Sequence, residues 1–314
     1  MGATTVTVTS SPPGTSWTWH STGSTLPGTT PSNYQLNAVV WTGAQLVAAG
    51  APGYVLTSPD GLGWSVHPGG PAGIVYSLAC APELGLLVAV GNGIRTSSDG
   101  ITWLANAGVS HSFAAVAWSG TRFVAVGDKG IGSVAMYTST DGFTWTQQDP
   151  GTVQVLDAIV WNGAEFVATG NATVVSADGI HWTLSPDRSS AWTGIAWSGS
   201  TFVKVANIGA TVSTSTDGLG WTSGPPLPVS IWGVTWANDP FVAVGGSGNG
   251  GSAYAFTSQD GVSWATATVG PVVSPYTSSA FRAVAWTGTR LVGVGDPVFT
   301  SSAPSFDYFI ETSP

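Results

Sequence analysis

The sequence predicts an all-β fold, a seven-bladed β-propeller of four-stranded antiparallel blades, on three observations. The first is a phrase, Ser-x-Asp-Gly-x-x-Trp, that recurs as TSPDGLGW (57–64), TSSDGITW (96–103), TSTDGFTW (138–145), VSADGIHW (175–182), TSTDGLGW (214–221) and TSQDGVSW (257–264). Its aspartates fall at 60, 99, 141, 178, 217 and 260, a spacing of roughly 40 residues that marks a repeat architecture. The second is a companion phrase between the turns: LNAVVWTGAQLVAAG (36–50), FAAVAWSGTRFVAVG (113–127), LDAIVWNGAEFVATG (156–170), WTGIAWSGSTFVKVA (192–206), IWGVTWANDPFVAVG (231–245) and FRAVAWTGTRLVGVG (281–295). A seventh copy, VYSLACAPELGLLVAVG (75–91), carries Cys80 where the others have Trp. The third is that no stretch shows an apolar period of 3.6, so helix is nearly absent.

Each unit reads as four short strands in order. Strand A is the "AVAW" run; a two-residue turn such as Asn162-Gly163 leads to strand B, "FVAVG". Strand C ends in "TS", and strand D starts at the Trp of the turn. The units are 36–66, 75–105, 113–147, 156–184, 192–223, 231–266 and 281–311, within one domain spanning 1–314. The last unit breaks off at VFTSSAPSFDYF (298–309) without a good turn motif. The N-terminus supplies VTSSPPGTSW (8–17), a similar turn with Pro in place of Asp. The segment 1–20 is therefore expected to complete the last blade and close the ring, removing strand edges that would pair with other chains.

Six copies of one turn on one ring are a fastener rather than six active sites. The expected structural set is Ser58, Asp60, Gly61 and Trp64; Ser97, Asp99, Gly100 and Trp103; Ser139, Asp141, Gly142 and Trp145; Ser176, Asp178, Gly179 and Trp182; Ser215, Asp217, Gly218 and Trp221; and Ser258, Asp260, Gly261 and Trp264. In such a turn the Asp accepts backbone N–H groups two residues on, Gly tolerates positive φ, and the Trp packs its ring against the neighbouring blade.

Composition excludes several classes. Charged residues are 7% of the chain, with seven Lys plus Arg and a net charge of −9, so nothing marks a nucleic-acid or anionic-membrane partner. The single cysteine excludes an internal disulfide and a Cys-rich zinc site, and its apolar setting points to a buried small hydrophobe. The four histidines (His20, His67, His111, His181) lie in different units without metal-ligand spacing; no metal and no cofactor is expected. His181 reads as a solvent-edge turn residue. The sequence shows no Sec-type signal peptide and no apolar run of membrane length, while its Thr/Ser/Gly-rich, charge-poor character suits a virion surface or an extracellular setting.

Ser-x-Asp-Gly-x-x-Trp resembles a shortened Asp-box, the turn of the BNR-repeat propellers, which include sialidases, related glycosidases and photosystem II assembly factors. Repeats similar to these also occur in bacterial and phage-associated surface proteins. The resemblance covers nearly the whole chain and implies the propeller fold. A sialidase would need three active-site arginines, a Tyr/Glu pair and an Asp. Here Arg122, Arg290, Glu83 and Glu165 fall in A–B hairpins, on the face of the turns, and Glu311 is terminal. Only Arg188 and Arg282 are left for the opposite face, so the sialidase set does not assemble. The assembly factors imply an arginine-rich patch that seven scattered basic residues cannot form.

Positions that differ between units while their surroundings repeat are where function can sit. Two residues before the repeated Val, Ile or Leu of strand A stand Asn37, Tyr76, Ala114, Asp157, Thr193, Trp232 and Arg282. They are expected near the channel mouth on the face away from the turns. Two readings are open: loop ends free to vary, or a site for a glycan or a protein subunit of an assembly, with flat rings for stacking and paired donors and acceptors. Long connections at 127–137, 245–256 and 267–281, the last with Tyr276, add to that face. The run 246–251 matches G-x-G-x-x-G but opens no helix, and is set aside. Lys204, in a slot that is Ala or Gly elsewhere, either snorkels from a packed strand or lends a charge to a site. The expectation is a non-catalytic recognition and structural propeller. The alternative is a glycoside hydrolase or lyase pairing Asp157 and Asp187 with Asp128 or Asp296.

Overall fold

A computed structural model describes residues 12–22, 26–27, 35–106, 108–127, 134–187, 191–246, 252–269, 280–296, 298–300, 305–307 and 310–314. Seven four-stranded antiparallel sheets form the blades of a ring. Blade 1 comprises strands A to D at Leu36–Trp41, Leu46–Gly50, Tyr54–Ser58 and Ser65–Pro68. Blade 2 comprises Val75–Ala81, Leu86–Gly91, Gly93–Ser97 and Leu104–Ala105, and blade 3 Ala115–Trp118, Phe123–Gly127, Ala135–Ser139 and Thr146–Gln147. Blade 4 runs through Leu156–Trp161, Phe166–Gly170, Thr173–Ser176 and Thr183–Leu184. Blade 5 follows with Trp192–Trp197, Phe202–Ala206, Val212–Ser215 and Thr222–Ser223, then blade 6 with Ser230–Trp236, Phe241–Gly246, Ala253–Ser258 and Ala265–Thr266.

Blade 7 is made from both ends of the chain. Phe281–Trp286, Leu291–Gly295 and Ile310–Ser313 are its strands A to C, and Thr18–Trp19 is its outer strand, paired Thr18 to Thr312 and Trp19 to Glu311. Strand C thus runs to 313, two residues past the expected unit end at 311. Before that strand, Ser305–Asp307 pairs with Val298–Thr300 on one side and Leu26–Pro27 on the other, as a separate three-stranded sheet.

Two local expectations shift by one residue. The hydrogen bond from Asn162 N–H to Glu165 C=O centres the A–B turn of blade 4 on Gly163-Ala164, not Asn162-Gly163. The D strands begin just after the turn Trp, for instance at Ser65 and Leu104. In blade 2 the A–B connection lengthens into a 3-10 turn at Pro82–Leu84.

Strand B is buried along its length in every blade because its two faces meet two neighbouring blades. Burial on both faces is why these runs read as continuous apolar residues rather than alternating ones. The seven apolar clusters each fill one seam between adjacent blades, such as Phe123, Val88 and Ile94 between blades 2 and 3. Strand-A Trp and strand-B Phe pair at ring-centroid distances of 4.3 Å for Trp118–Phe123 and 4.2 Å for Trp197–Phe202. Such pairs add about 0.5–1.5 kcal/mol beyond burial.

The recurrent turn explains its own sequence. In all six copies the Ser Oγ accepts the Gly N–H, at 2.8 Å in Ser139–Gly142, and the Asp Oδ1 accepts the next two N–H groups, at 2.8 and 2.7 Å in Asp141. Five of the turn tryptophans, Trp64, Trp145, Trp182, Trp221 and Trp264, donate Nε1–H to the Gly carbonyl; Trp103 Nε1 is buried without a partner. The Gly also sets the blade spacing: at φ 81°, Gly61 lies where a Cβ would stand 2.9 Å from Val292 Cγ2 of the preceding blade. A side chain there would force the blades apart.

Candidate functional site at the channel mouth

Six of the seven variable positions sit on a β-bulge. The strand A–B register slips across Asn37, Tyr76, Asp157, Thr193, Trp232 and Arg282, in blades 1, 2, 4, 5, 6 and 7 respectively. A bulge leaves one residue outside the ladder and re-aims its side chain. Because the A strands are the innermost of every blade, these side chains turn into the central mouth. All six, with Ala114 from blade 3, line a single cavity of about 470 Å³, joined by Gln35, Asn171, Ala191, Trp192, Asn207 and Ile208. That volume is in the range of small-ligand sites.

The lining is braced from below. Asn37 Nδ2 donates to Val75 C=O of the next blade at 2.9 Å, and Thr193 Oγ1 donates to Ile231 C=O at 2.8 Å. Asn171 Oδ1 accepts the Ala191 N–H at 3.3 Å. Arg282 makes a two-pronged ion pair with Asp296, Nε to Oδ1 at 3.0 Å and Nη2 to Oδ2 at 3.3 Å, and its guanidinium lies 4.5 Å from the Trp232 ring centroid. Gln35 Nε2 donates to the same Asp296 Oδ1.

Carboxylates considered for catalysis are distributed otherwise than a hydrolase pair requires. Asp157 lines the mouth, Asp296 is bound by Arg282 and Gln35, and Asp187 is bound by Lys204. Asp128, Arg188 and Tyr276, and most of the long connections, lie outside the described residues. Arg95, which sequence reasoning did not place on this face, reaches its B–C turn by donating from Nη1 to Asn92 C=O.

Lys204 neither snorkels nor enters the mouth. It is fully buried at the seam of blades 4 and 5, where Nζ contacts Asp187 Oδ2 at 2.5 Å and Thr173 Oγ1 at 3.2 Å, and lies 4.4 and 4.0 Å from the ring centroids of Trp192 and Trp221. Burial outweighs Asp187 and lowers its pKa to about 8. The "FVAVG" departures Thr169 and Lys204 share this polar seam, since Thr169 and Thr173 hydroxyls meet at 3.0 Å.

Cys80 is half-buried rather than buried. With no indole at this position, a cleft of about 450 Å³ opens between blades 1 and 2, bounded by Gln45, Pro59, Pro82, Leu86, Leu87 and Asp99. Burial and Glu83 push the thiol pKa up. His181 is exposed and meets Asp178 Oδ2 through Nδ1 at 2.7 Å. No cluster of three metal-ligating side chains occurs among the described residues, and no helix among them is long and apolar enough to cross a membrane.

Seven meander blades around a channel, with side chains gathered at one mouth, define a seven-bladed β-propeller with a candidate binding site on its axis. No protein-family model matches the sequence, and neither does any curated protein. Solved structures share the fold. YCF48 from Cyanidioschyzon merolae aligns with TM-score 0.61 at 15% identity, over 93% of this chain and 98% of that one. The WD40 β-propeller domain of Doa1 aligns with TM-score 0.64 at 11% identity, over 93% and 96%. The computationally designed Ika8 protein aligns with TM-score 0.57 at 13% identity, over 91% and 98%.

Proposed function

We propose that this chain is a non-catalytic recognition and structural propeller of a virion or cell-exterior surface, binding a glycan or another subunit of an assembly at the channel mouth. The observation that carries the reading is the coincidence of variation and geometry: six bulged positions that differ between otherwise repeating blades turn into one cavity. The exterior setting is supported by the charge-poor, Gly-rich composition and by the resemblance of the repeats to Asp-box and phage-associated propellers. The non-catalytic reading is supported by the engagement of Asp187 and Asp296 with cations.

The test is a binding screen of the purified protein against glycans and host-envelope fractions, read by intrinsic Trp fluorescence, beside a Trp232→Ala/Arg282→Ala double variant. Binding that the folded double variant loses supports the reading. Binding that survives the double substitution overturns the mouth as the site. Stoichiometric co-purification with a particle would support the virion setting, and recovery only as a free secreted protein would overturn it.

A further inference from the structure

Resting on that reading, we propose that the mouth takes a neutral, hydroxyl-rich sugar unit and discriminates against acidic ones. The guanidinium of Arg282 is the cation among the described lining residues, and it is already committed. Asp296 holds it by two hydrogen bonds, Trp232 lies against its face, and Gln35 adds a third donor to the same carboxylate. A sialic acid, uronic acid or phosphate would have to displace Asp296, a largely buried carboxylate left without its counter-charge. Removing one partner of a buried pair is the costly direction.

The hydrogen-bonding pattern agrees. Thr193 spends its one hydrogen on Ile231 C=O, so its hydroxyl can offer the cavity acceptor lone pairs alone. Asn37 spends an amide hydrogen on Val75 C=O and keeps its carbonyl oxygen. Asn171 does the reverse: its Oδ1 takes the Ala191 N–H, and its amide donors remain. A carboxylate or phosphate only accepts and an ammonium only donates. A sugar hydroxyl does both, and so fits a wall that alternates acceptor and donor. Tyr76 and Trp232 supply apolar ring surface beside these groups.

The experiment titrates the whole chain with matched probes: lactose, maltose and diacetylchitobiose as neutral sugars, sialyllactose as the acidic counterpart of lactose, and choline as a cation. It is repeated for Trp232→Ala and Thr193→Val, with thermal melting of each variant as the check on folding. The expected result is saturable binding of at least one neutral sugar and about tenfold or weaker binding of its acidic counterpart. That binding is expected to fall about tenfold in Trp232→Ala, to weaken in Thr193→Val, and to respond little to salt.

Sialyllactose or choline binding better than every neutral sugar, with loss in Trp232→Ala, would overturn the neutral-sugar assignment and leave the mouth as the binding site. Neutral-sugar binding unchanged by both substitutions would instead overturn the mouth itself. No saturable binding of any probe would overturn the sugar assignment and leave a subunit partner as the occupant to test.

Discussion

The backbone N–H of Gly14 donates to Oγ of Ser313 at 2.9 Å, across a separation of 299 residues. It is the same bond that Ser139 and Gly142 make three residues apart. Trp17 Nε1 then donates to Gly14 C=O at 3.0 Å, as Trp64 does to Gly61. A seventh turn therefore exists, with its serine at one end of the chain and its glycine and tryptophan at the other. It locks the outer strand Thr18–Trp19 onto blade 7.

Ser313→Ala is expected to destabilise the fold by about 1–3 kcal/mol, the cost of leaving the Gly14 N–H unsatisfied in a buried setting, and to match Ser139→Ala. Gly14→Ala should cost more, since φ is 79° and a Cβ would stand 2.9 Å from Val242 Cγ2. Thermal melting of the three variants decides it. An unchanged Ser313→Ala would mean that strand pairing alone closes the ring.

Acid should unfold the protein steeply. Backbone N–H donors lower the pKa of the turn aspartates, to about 2 for Asp99, Asp141 and Asp260, and also below the ordinary value for Asp60, Asp178 and Asp217. A depressed carboxylate contributes stability that is present above its unfolded value near 3.8 and lost as pH falls toward 2. Replacing Asp141 with Asn should flatten this limb, read by Trp fluorescence against pH; an unaltered curve would count against it.

The buried Lys204 gives the same pH slope in a higher window, though here the charged form is the one that burial disfavours. Its folded pKa of about 8 lies below the unfolded 10.5, so between these values the unfolded chain holds more protons and stability rises with pH. Lys204→Met should abolish that rise and remove the cation that Asp187 meets at this seam, destabilising the fold at neutral pH by about 3–5 kcal/mol. Denaturant melts at pH 7 and pH 10 for both proteins test it, and parallel behaviour of wild type and variant would refute the assignment.

Cys80→Trp restores the indole that the equivalent positions carry and fills the seam cleft of blades 1 and 2. It should be tolerated and raise stability by about 0.5–2 kcal/mol. A large fall in melting temperature would show that the Pro82–Leu84 turn has claimed the space.

Asp157→Asn separates a binder from a hydrolase. On the binding reading, affinity for a neutral sugar stays within about threefold, as the amide keeps an acceptor oxygen. Turnover of a glycoside by the wild type that vanishes in this variant would revive the catalytic alternative.

Blade number, strand order, the turn residues and the variable ring were legible in the sequence because they rest on contacts within about 40 residues, repeated seven times. Repetition separates the architectural Asp141 or Gly142 from the individual Trp232 or Asp157 without any second sequence. Tertiary structure alone decided where those individual side chains sit. A bulge at Arg282 or Thr193 is a property of pairing register, which no side-chain pattern announces. The Lys204–Asp187 and Gly14–Ser313 bonds join groups brought together by blade packing and ring closure, while Arg282 and Asp296 meet across the A–B hairpin of blade 7. Local sequence fixes each blade's form because its hydrogen bonds are short-range; the charge and shape of the mouth emerge only where seven blades meet.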